Sequence, residues 1–331
     1  MRKIFYLYVF TTFFSVTGAN AQLDTVKTYM KLSNDVWTRD NHGYVVKNRD
    51  SADFVRLIIS PTNSIGKTLY SVKDLYLNGR IKLISMSASR FVYPDFDGTC
   101  IEYYLNGNIK TISNYKNGQK EGEQIVYYPN GLAYYSVSHH QNKVKLINCN
   151  DSIGKALAVN GNGKWVKYSD DFKTVMESGP VLDSLEQGEW KGHFNDTLNY
   201  ICNYTNGVIT SGTSYDSGGN VFTFTEKKIL PEFYGGLNGF TRFLRRKIKY
   251  PRYAWQNGIQ GRVIVTFIVE KNGTLADIKI SRGTEPSLDA EAMRIMQESP
   301  KWKPAYLYGV PVRVQFSVPI IFLANIKNNQ D

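Results

Sequence analysis

The chain is poor in cysteine and histidine, the residues that most often hold metals or attack substrates. It has 3 Cys and 4 His among 331 residues. Cys100, Cys149 and Cys202 lack CxxC spacing, which disfavours a metal site. Either one pair of them bridges in an exported protein or all three are ordinary strand or loop cysteines, and the sequence leaves both open. His139 and His140 point to opposite faces of a strand, so we expect no shared metal.

Motifs of catalysis are missing as well. There is no Gly-x-Ser-x-Gly elbow and no Cys–His arrangement to propose. Gly161-Asn162-Gly163 leads into a Trp-containing strand, so it lacks the helix N-terminus that a dinucleotide needs. We therefore expect that the protein is not an enzyme and has no cofactor.

Long apolar runs are absent, and the N-terminus comes closest to one. Arg2 and Lys3 precede an apolar run from Ile4 to Val16, and Ala19-Asn20-Ala21 precedes Gln22. The run of about thirteen residues is shorter than the roughly twenty that span a bilayer. This pattern predicts a cleavable signal peptide over residues 1–21 and therefore export. Retention as an uncleaved inner-membrane anchor is the alternative.

Positive charge exceeds negative charge, with a formal net charge of +11 that is concentrated from Lys227 onward. Nucleic acid is not expected as a partner of an exported protein. The excess favours anionic envelope surfaces or acidic protein segments instead.

Aromatic residues are abundant, at 14% of the chain, and five tyrosines each lie two residues before an Asn-Gly pair. Asn-Gly supplies the positive φ angles of a tight hairpin turn. Tyr104 and Tyr128 lie 24 positions apart, and this period predicts a repeated β-hairpin. The recurring units are Tyr76–Gly79, Tyr104–Gly107, Tyr115–Gly118, Tyr128–Gly131 and Tyr204–Gly207.

This region, above all Tyr104 to Leu132, resembles the MORN-like repeats of the YwqK antitoxin family. The resemblance implies an open sheet built from hairpins, with a ligand that the sequence does not name.

The last hundred residues have a different pattern. Gly261–Glu270 and Leu275–Ser281 alternate as two strands around Lys271-Asn272-Gly273, which predicts a hairpin. A helix capped by Ser287 should follow, with Leu288, Ala292, Ile295 and Met296 at helical spacing. Val310–Pro319 is apolar at even positions, and its flanking prolines predict an edge strand.

An earlier helix is predicted from Leu237, Phe240, Leu244 and Ile248, and it ends before Tyr250-Pro251. Its basic residues lie off this stripe and predict a solvated face, with a membrane or partner site as the alternative. They are Arg242, Arg245, Arg246 and Lys249.

Residues from about Gly235 to Phe322 resemble the C-terminal domain of TonB, in the form common in Bacteroidetes-type energy transducers. The residues that carry the resemblance are Gly235-Gly236, Tyr250-Pro251, Ala254, Gln260-Gly261, Val263, Val265, Phe267, Gly273, Asp277, Ser281, Leu288-Asp289, Glu291-Ala292, Trp302-Lys303-Pro304, Gly309, Val312 and Pro319.

The resemblance implies a small periplasmic α+β domain, a three-stranded antiparallel sheet with helices on one face. In that family the domain grips the TonB box of outer-membrane TonB-dependent transporters and transmits force from an inner-membrane motor. An edge strand can accept an extended peptide as a further strand. The predicted recognition edge is Val312, Arg313, Val314, Gln315, Phe316 and Ser317. Dimerisation of two copies through the same edge is the alternative.

Two features depart from the plan of a full energy transducer. The N-terminal apolar run is short, and the 11 Pro are spread along the chain instead of forming a long spacer. Contact with the inner-membrane motor is therefore expected only if the N-terminal segment is retained.

The predicted organisation is a signal peptide (residues 1–21), a mainly β region of repeated hairpins (22–227), a TonB C-terminal-like α+β domain (228–325) and a tail (326–331). The predicted function is binding of the TonB box by strand addition in support of transmembrane transport. The alternative is an exported scaffold whose C-terminal domain dimerises and whose repeats bind an envelope partner.

Overall fold

A computed structural model of the protein describes residues 24–32, 43–61 and 68–323. The predicted signal peptide and the predicted tail lie outside these ranges. Within them, no helix has the length and apolar character needed to cross a membrane.

The chain divides into two compact units. The first runs to Lys145 and includes Asn150–Lys155, and the second consists of Leu146–Cys149 and the chain from Ala156 onward. The predicted boundary between residues 227 and 228 lies inside the second unit and stays a prediction.

Antiparallel strands build the first unit. Strand β1 pairs with β2 and β3, and from β3 to β10 each strand pairs with the next, except that β9 pairs with β7 past the short β8. The strands are β1 (Thr25–Lys31), β2 (Tyr44–Val46), β3 (Phe54–Ile59), β4 (Tyr70–Tyr76), β5 (Ile81–Ser87), β6 (Gly98–Tyr103), β7 (Ile109–Lys116), β8 (Gln119–Lys120), β9 (Gly122–Tyr127) and β10 (Ala133–His140); β11 (Lys143–Asn150) contributes to both units.

The Asn-Gly pairs of the five recurring tyrosine units lie in hairpin turns, as the sequence predicts. Asn117 and Gly118 have φ angles of 51° and 77°, which a two-residue turn between twisted antiparallel strands requires. In the wider turns the asparagine side chain closes the loop, since Asn106 Oδ1 accepts a hydrogen bond from the Asn108 amide at 3.0 Å.

The tyrosine that opens each wide turn links one hairpin to the next. Its hydroxyl donates to a backbone carbonyl in the following hairpin or at the end of β11, in each case within the first unit. These bonds run from Tyr76 to Tyr103 (2.7 Å), from Tyr104 to Tyr127 (2.6 Å) and from Tyr128 to Asn150 (2.9 Å). The spacing of the tyrosines in the sequence thus matches the spacing of the hairpins. The resemblance to MORN-like repeats stays a prediction.

A buried ion pair crosses the first unit's sheet. The Arg56 guanidinium meets the Asp74 carboxylate at 2.7 Å, with side chains only 2% and 1% exposed. Val72, two residues before Asp74, and Leu83, opposite Asp74 on β5, are buried in the apolar core. Such a pair is costly to break, because removing one partner leaves an uncompensated buried charge.

Further hairpins open the second unit, and their tryptophans are buried. Trp190 is fully buried and its ring lies 6.4 Å from that of Trp165. Gly179 makes room for it, because a Cβ there would lie 2.2 Å from the Trp190 ring. These strands are β12 (Ala156–Val159), β13 (Asn162–Tyr168), β14 (Val175–Leu182), β15 (Leu185–Glu186), β16 (Gly188–Asn195), β17 (Leu198–Thr205), β18 (Val208–Asp216) and β19 (Val221–Phe224).

The C-terminal elements form a small α+β arrangement, as predicted, with two three-stranded sheets in the orders β22-β21-β25 and β20-β23-β24. Helix α3 packs on β21 and β22. The elements are β20 (Lys228–Ile229), α1 (Gly236–Lys247), α2 (Arg252–Gln256), β21 (Gly261–Val269), β22 (Leu275–Arg282), α3 (Pro286–Gln297), β23 (Ala305–Leu307), β24 (Val310–Val312) and β25 (Val314–Phe322).

The predicted cap of α3 is wrong. Glu285, not Ser287, is the N-cap, and its carboxylate accepts hydrogen bonds from the Ser287 and Leu288 amides. Pro286 follows at the first helical position, where its fixed φ suits the helix and its missing N–H costs nothing. The predicted core face of α3 is confirmed, since Leu288, Ala292, Ile295 and Met296 are buried.

The single strand predicted over Val310–Pro319 is divided in two. Tyr308 and Gly309 both have positive φ and turn the chain back, so β24 pairs with β23. From Val314 the chain pairs with β21 instead. The two sets of partners differ, so the strand breaks at Arg313, whose guanidinium binds Glu270 at 2.7 Å.

All three cysteines are buried, and none of them forms a disulfide. Of the two alternatives that the sequence leaves open, the structure therefore shows three ordinary buried thiols.

Candidate functional site

Strand β21 is the centre of the sheet that carries the predicted edge. Val263, Val265, Phe267 and Val269 are fully buried, as their alternation predicts. This apolar face holds β21 on the core, and its two edges pair with β22 and β25.

Strand β25 leaves one edge open. It pairs with β21 from Gly261 opposite Phe322 to Val269 opposite Val314. Among the strands that the structure describes, none pairs with the other edge of β25. An unpaired strand edge presents N–H and C=O groups that a further strand can bind.

The predicted site residues divide between the two sheets. Val312 ends β24, Arg313 lies between the strands, and the run from Val314 to Ser317 opens β25. Arg313 is half exposed and already engaged, because its guanidinium contacts Glu270 and also Asp277 at 3.2 Å. The open edge itself is therefore formed by β25, whose range extends to Phe322.

Burial alternates along β25. Val314, Val318 and Ile320 are buried, whereas Gln315 and Ser317 are exposed. The inward side chains fix the strand on the core, so its edge is held rigidly for pairing. This rigidity lowers the entropy cost of adding a further strand.

An apolar groove of about 190 Å³ lies beside this strand. Phe316 and Val318 of β25 form one wall, and the start of α1 forms the other. Leu237 of α1 lies in this wall and is 80% exposed, so this member of the predicted stripe does not enter the core. It falls in the first turn of the helix, where it borders the groove. The groove is lined by Pro231, Glu232, Phe233, Gly236, Leu237, Phe240, Trp302, Phe316 and Val318.

Trp302 is the floor of the groove. It is 3% exposed, and its indole N–H donates to the Ser299 hydroxyl at 3.0 Å. Four phenylalanine rings surround it, which are Phe233 (5.6 Å), Phe240 (5.6 Å), Phe267 (5.2 Å) and Phe316 (6.0 Å) between ring centroids. The aromatic contacts fix the groove wall against the sheet.

The hairpin turn between β21 and β22 docks on the same tryptophan. Gly273 has φ of 81°, and its carbonyl accepts a hydrogen bond from the Trp302 amide at 2.8 Å. A Cβ at Gly273 would lie 2.0 Å from the Trp302 carbonyl oxygen. Glycine is therefore required there for close approach as well as for the turn.

The described residues meet neither the requirements of a metal site nor those of a reactive thiol. No group of three or more His, Cys, Asp or Glu in the described ranges could hold a metal ion. The thiols are poor nucleophiles, because burial raises the pKa of Cys100 to about 12 and also raises the pKa values of Cys149 and Cys202.

Comparison with known proteins finds a family match in the C-terminal part of the chain. Residues 246–323 match the family described as Gram-negative bacterial TonB protein C-terminal. This segment is similar to TonB C-terminal domains. A solution NMR structure of the Helicobacter pylori TonB C-terminal domain is 24% identical, covering 26% of this chain and 78% of that chain, with a TM-score of 0.21. No curated protein matches the chain.

The family indicates a TonB-like role in transport, and its members are envelope proteins that interact with outer-membrane TonB-dependent transporters. The matched range contains the sheet β22-β21-β25 and α3. It begins at Arg246, so most of α1 and the groove residues Phe233, Leu237 and Phe240 precede it.

The sequence pattern did not predict the groove. Leu237 and Phe240 fall on one predicted stripe of α1, and Phe233 precedes that stripe. The aromatic residues Phe233, Phe240 and Phe243 were the available signal, because they cluster in sequence beside Gly-Gly and meet as rings in the structure.

Proposed function

We propose that the TonB C-terminal domain of this protein binds the TonB box of an outer-membrane transporter, which adds as a strand to the open edge of β25. One observation carries the proposal: β25 has no partner on this edge within the described part of the chain, and an apolar groove runs beside it. The predicted residues from Val314 to Ser317 form the start of this edge.

Strand addition explains how one surface serves different peptides. Main-chain hydrogen bonds supply affinity without demanding a particular sequence. Side chains of the added strand alternate in direction, so every second one faces the groove wall of Phe316 and Val318. The expected ligand is thus an extended segment with apolar residues at alternate positions.

On this proposal the protein is a non-enzymatic periplasmic component of transmembrane transport. Coupling to an inner-membrane motor requires an anchor, which the predicted signal segment supplies only if it is retained.

Amide hydrogen exchange of the full chain, with and without a synthetic TonB-box peptide, tests the binding mode. Backbone amides on the open edge of a strand face away from its partner at alternate residues. We expect alternate amides of β25 to gain protection on peptide binding, while those of β22, the opposite edge strand, stay unchanged. Protection of β22 alone, or binding that protects neither edge, would refute strand addition at β25.

The groove is tested by a matched pair of leucine variants. Leu237→Asp places a charge in the groove wall, whereas Leu230→Asp changes an exposed leucine outside it. We expect Leu237→Asp to weaken peptide binding about tenfold, the effect of losing one apolar contact of roughly 1.4 kcal/mol. Equal effects of the two variants would contradict a role for the groove.

The alternative scaffold function predicts a different outcome at the same edge. If two copies pair through β25, sedimentation velocity shows a dimer, and the β25 amides are protected without peptide. A peptide that leaves this dimer intact favours the scaffold.

A further inference from the structure

A second concave surface lies on the other side of the Phe233 segment. It encloses about 370 Å³ and combines aromatic walls with three cations. Its lining residues are Phe233, Tyr234, Gly239, Arg242, Phe243, Arg246 and Lys247. We call it the basic pocket.

Close packing of α1 forms the floor of the basic pocket. Gly239 is buried, and a Cβ there would lie 2.2 Å from the Tyr234 carbonyl oxygen. Only glycine lets the helix approach this far. The Phe233 and Phe243 rings then meet at 5.4 Å and give the pocket an apolar base.

The arginines at the rim are unengaged. Arg242 and Arg246 lie one helical turn apart and are exposed, and within the described residues neither donates a hydrogen bond or pairs with an acid. Arg294, by contrast, binds Glu291 and Glu298 at 2.7 Å. The third cation, Lys247, reaches Glu298 only at 3.5 Å.

Two guanidinium groups and two phenylalanine rings that line one pocket match a carboxylate carried on an aliphatic stem. Guanidinium binds carboxylate in a planar, bidentate manner, and aromatic rings contact the methylene groups of Asp or Glu. An acidic segment also complements the net charge of +11.

We propose that the basic pocket binds an acidic peptide segment that flanks the strand docked on β25. The proposal rests on the proposed function and extends it to a part of the partner outside the paired strand. Both concave surfaces share Phe233 and border α1, so one partner chain can reach both.

The reach is short. From Leu237 in the groove to Arg242 and Arg246 in the basic pocket, α1 rises about 7 to 14 Å at 1.5 Å per residue. An extended peptide covers this distance in about two to four residues. The acidic residues should therefore lie within about four positions of the paired strand.

The test uses the full chain and three fluorescein-labelled synthetic peptides. Each contains an eight-residue stretch of alternating Val and Thr. The two acidic peptides carry Asp-Glu-Asp-Glu, one before the stretch and the other after it. The neutral peptide carries Asn-Gln-Asn-Gln instead. At low salt we expect one of the acidic peptides to bind about tenfold more tightly than the neutral peptide, with the preference shrinking as salt rises.

Charge reversal locates the preference. Arg242→Glu with Arg246→Glu should remove the acidic preference and leave binding of the neutral peptide unchanged. The matched control is Arg245→Glu with Arg252→Glu, which changes net charge equally at exposed residues outside the pocket. This control should keep most of the preference, and thermal unfolding checks that all variants fold.

Three outcomes would refute the proposal that the basic pocket binds an acidic peptide segment. The first is equal binding of the acidic and neutral peptides, and the second is an equal loss of the acidic preference in both double variants. The third is that the arginine pair affects only binding to phosphatidylglycerol vesicles, which would assign the surface to lipid. Binding of the neutral peptide reports on strand addition separately. A neutral peptide that binds without an acidic preference refutes the pocket alone, and an acidic peptide that binds through the pocket without protecting β25 refutes strand addition alone.

Discussion

Tyr308 of the β23–β24 turn stacks on Tyr200 of β17, with ring centroids 4.4 Å apart and an interplanar angle of 26°. The Tyr308 carbonyl also accepts a hydrogen bond from the Ser214 hydroxyl at 2.7 Å. Within the second unit, the last hairpins and the segment that matches the TonB C-terminal family therefore share one packed contact. A fragment that starts at Lys228 would lose it, so binding experiments should use the full chain.

Tyr308→Ala should lower the free energy of unfolding by about 2 to 3 kcal/mol, because it removes a half-buried aromatic ring from this contact. Tyr306→Ala is the matched control: Tyr306 is also half-buried on the same hairpin but is not part of the stack. Urea unfolding of both variants checks the difference. Equal losses would show that the stack adds nothing specific.

Glu177 links the stack to two lysines. Its carboxylate accepts hydrogen bonds from Lys167 at 2.7 Å, from Lys227, and from the Tyr200 hydroxyl. Burial acts to raise the pKa of Glu177, but the two ammonium groups outweigh it and lower the pKa to about 2. The charged carboxylate is therefore the form that the folded state favours.

This lowered pKa makes stability depend on pH. A depressed pKa in the folded state stabilises the protein above the unfolded value, near 4.5, and that stability is lost as the pH falls toward about 2. Urea unfolding at pH 7, 5 and 3 should show the loss. In Glu177→Gln, stability at pH 7 should fall and its decline between pH 5 and 3 should become shallower. An unchanged slope would mean that other carboxylates dominate.

Gly273→Ala should destabilise the protein far more than an ordinary substitution at positive φ. The added Cβ meets the Trp302 carbonyl and the backbone is left-handed, so we expect a cost of about 3 kcal/mol. Gly79 has φ of 86° but open space around it, so Gly79→Ala should lower the free energy of unfolding by only about 1 kcal/mol. Thermal unfolding compares them, and similar costs would contradict the tight approach to Trp302.

Tyr104→Phe should cost about 1 kcal/mol, because it deletes the hydroxyl that links its turn to the Tyr127 carbonyl. Tyr103→Phe, a half-buried neighbour whose hydroxyl donates no hydrogen bond within the described residues, should be nearly neutral. Hydrogen exchange at β9 and β10 should rise in the first variant only. If Tyr104→Phe leaves the free energy of unfolding unchanged, packing of the tyrosine ring alone holds the neighbouring hairpins together.

The periodic parts of the chain were predictable. Alternation placed Val263 and Phe267 on the core, and Asn-Gly pairs located the turns, because both depend on neighbours within a few residues. The cap at Glu285 was missed because Ser, Asp and Glu near a helix start compete, and only the backbone geometry selects one.

Longer-range partners were not predictable. The strand breaks at Arg313 because the residues before it pair with β23 and the residues after it pair with β21. The exposure of Leu237 depends on the groove that it borders. The basic side chains of α1 were correctly predicted as exposed, but the sequence did not show that Arg242 and Arg246 rim a pocket while Arg245 does not.

The sequence by itself determined the hairpin repeats, the α+β pattern of the last hundred residues and the family resemblance, because these depend on the spacing of residues that are close in sequence. Only the tertiary structure decided which edge of the sheet stays open and which side chains line the two concave surfaces. The physical reason is that an open edge, a groove or a pocket is defined by which distant residues fill the space beside a strand or helix.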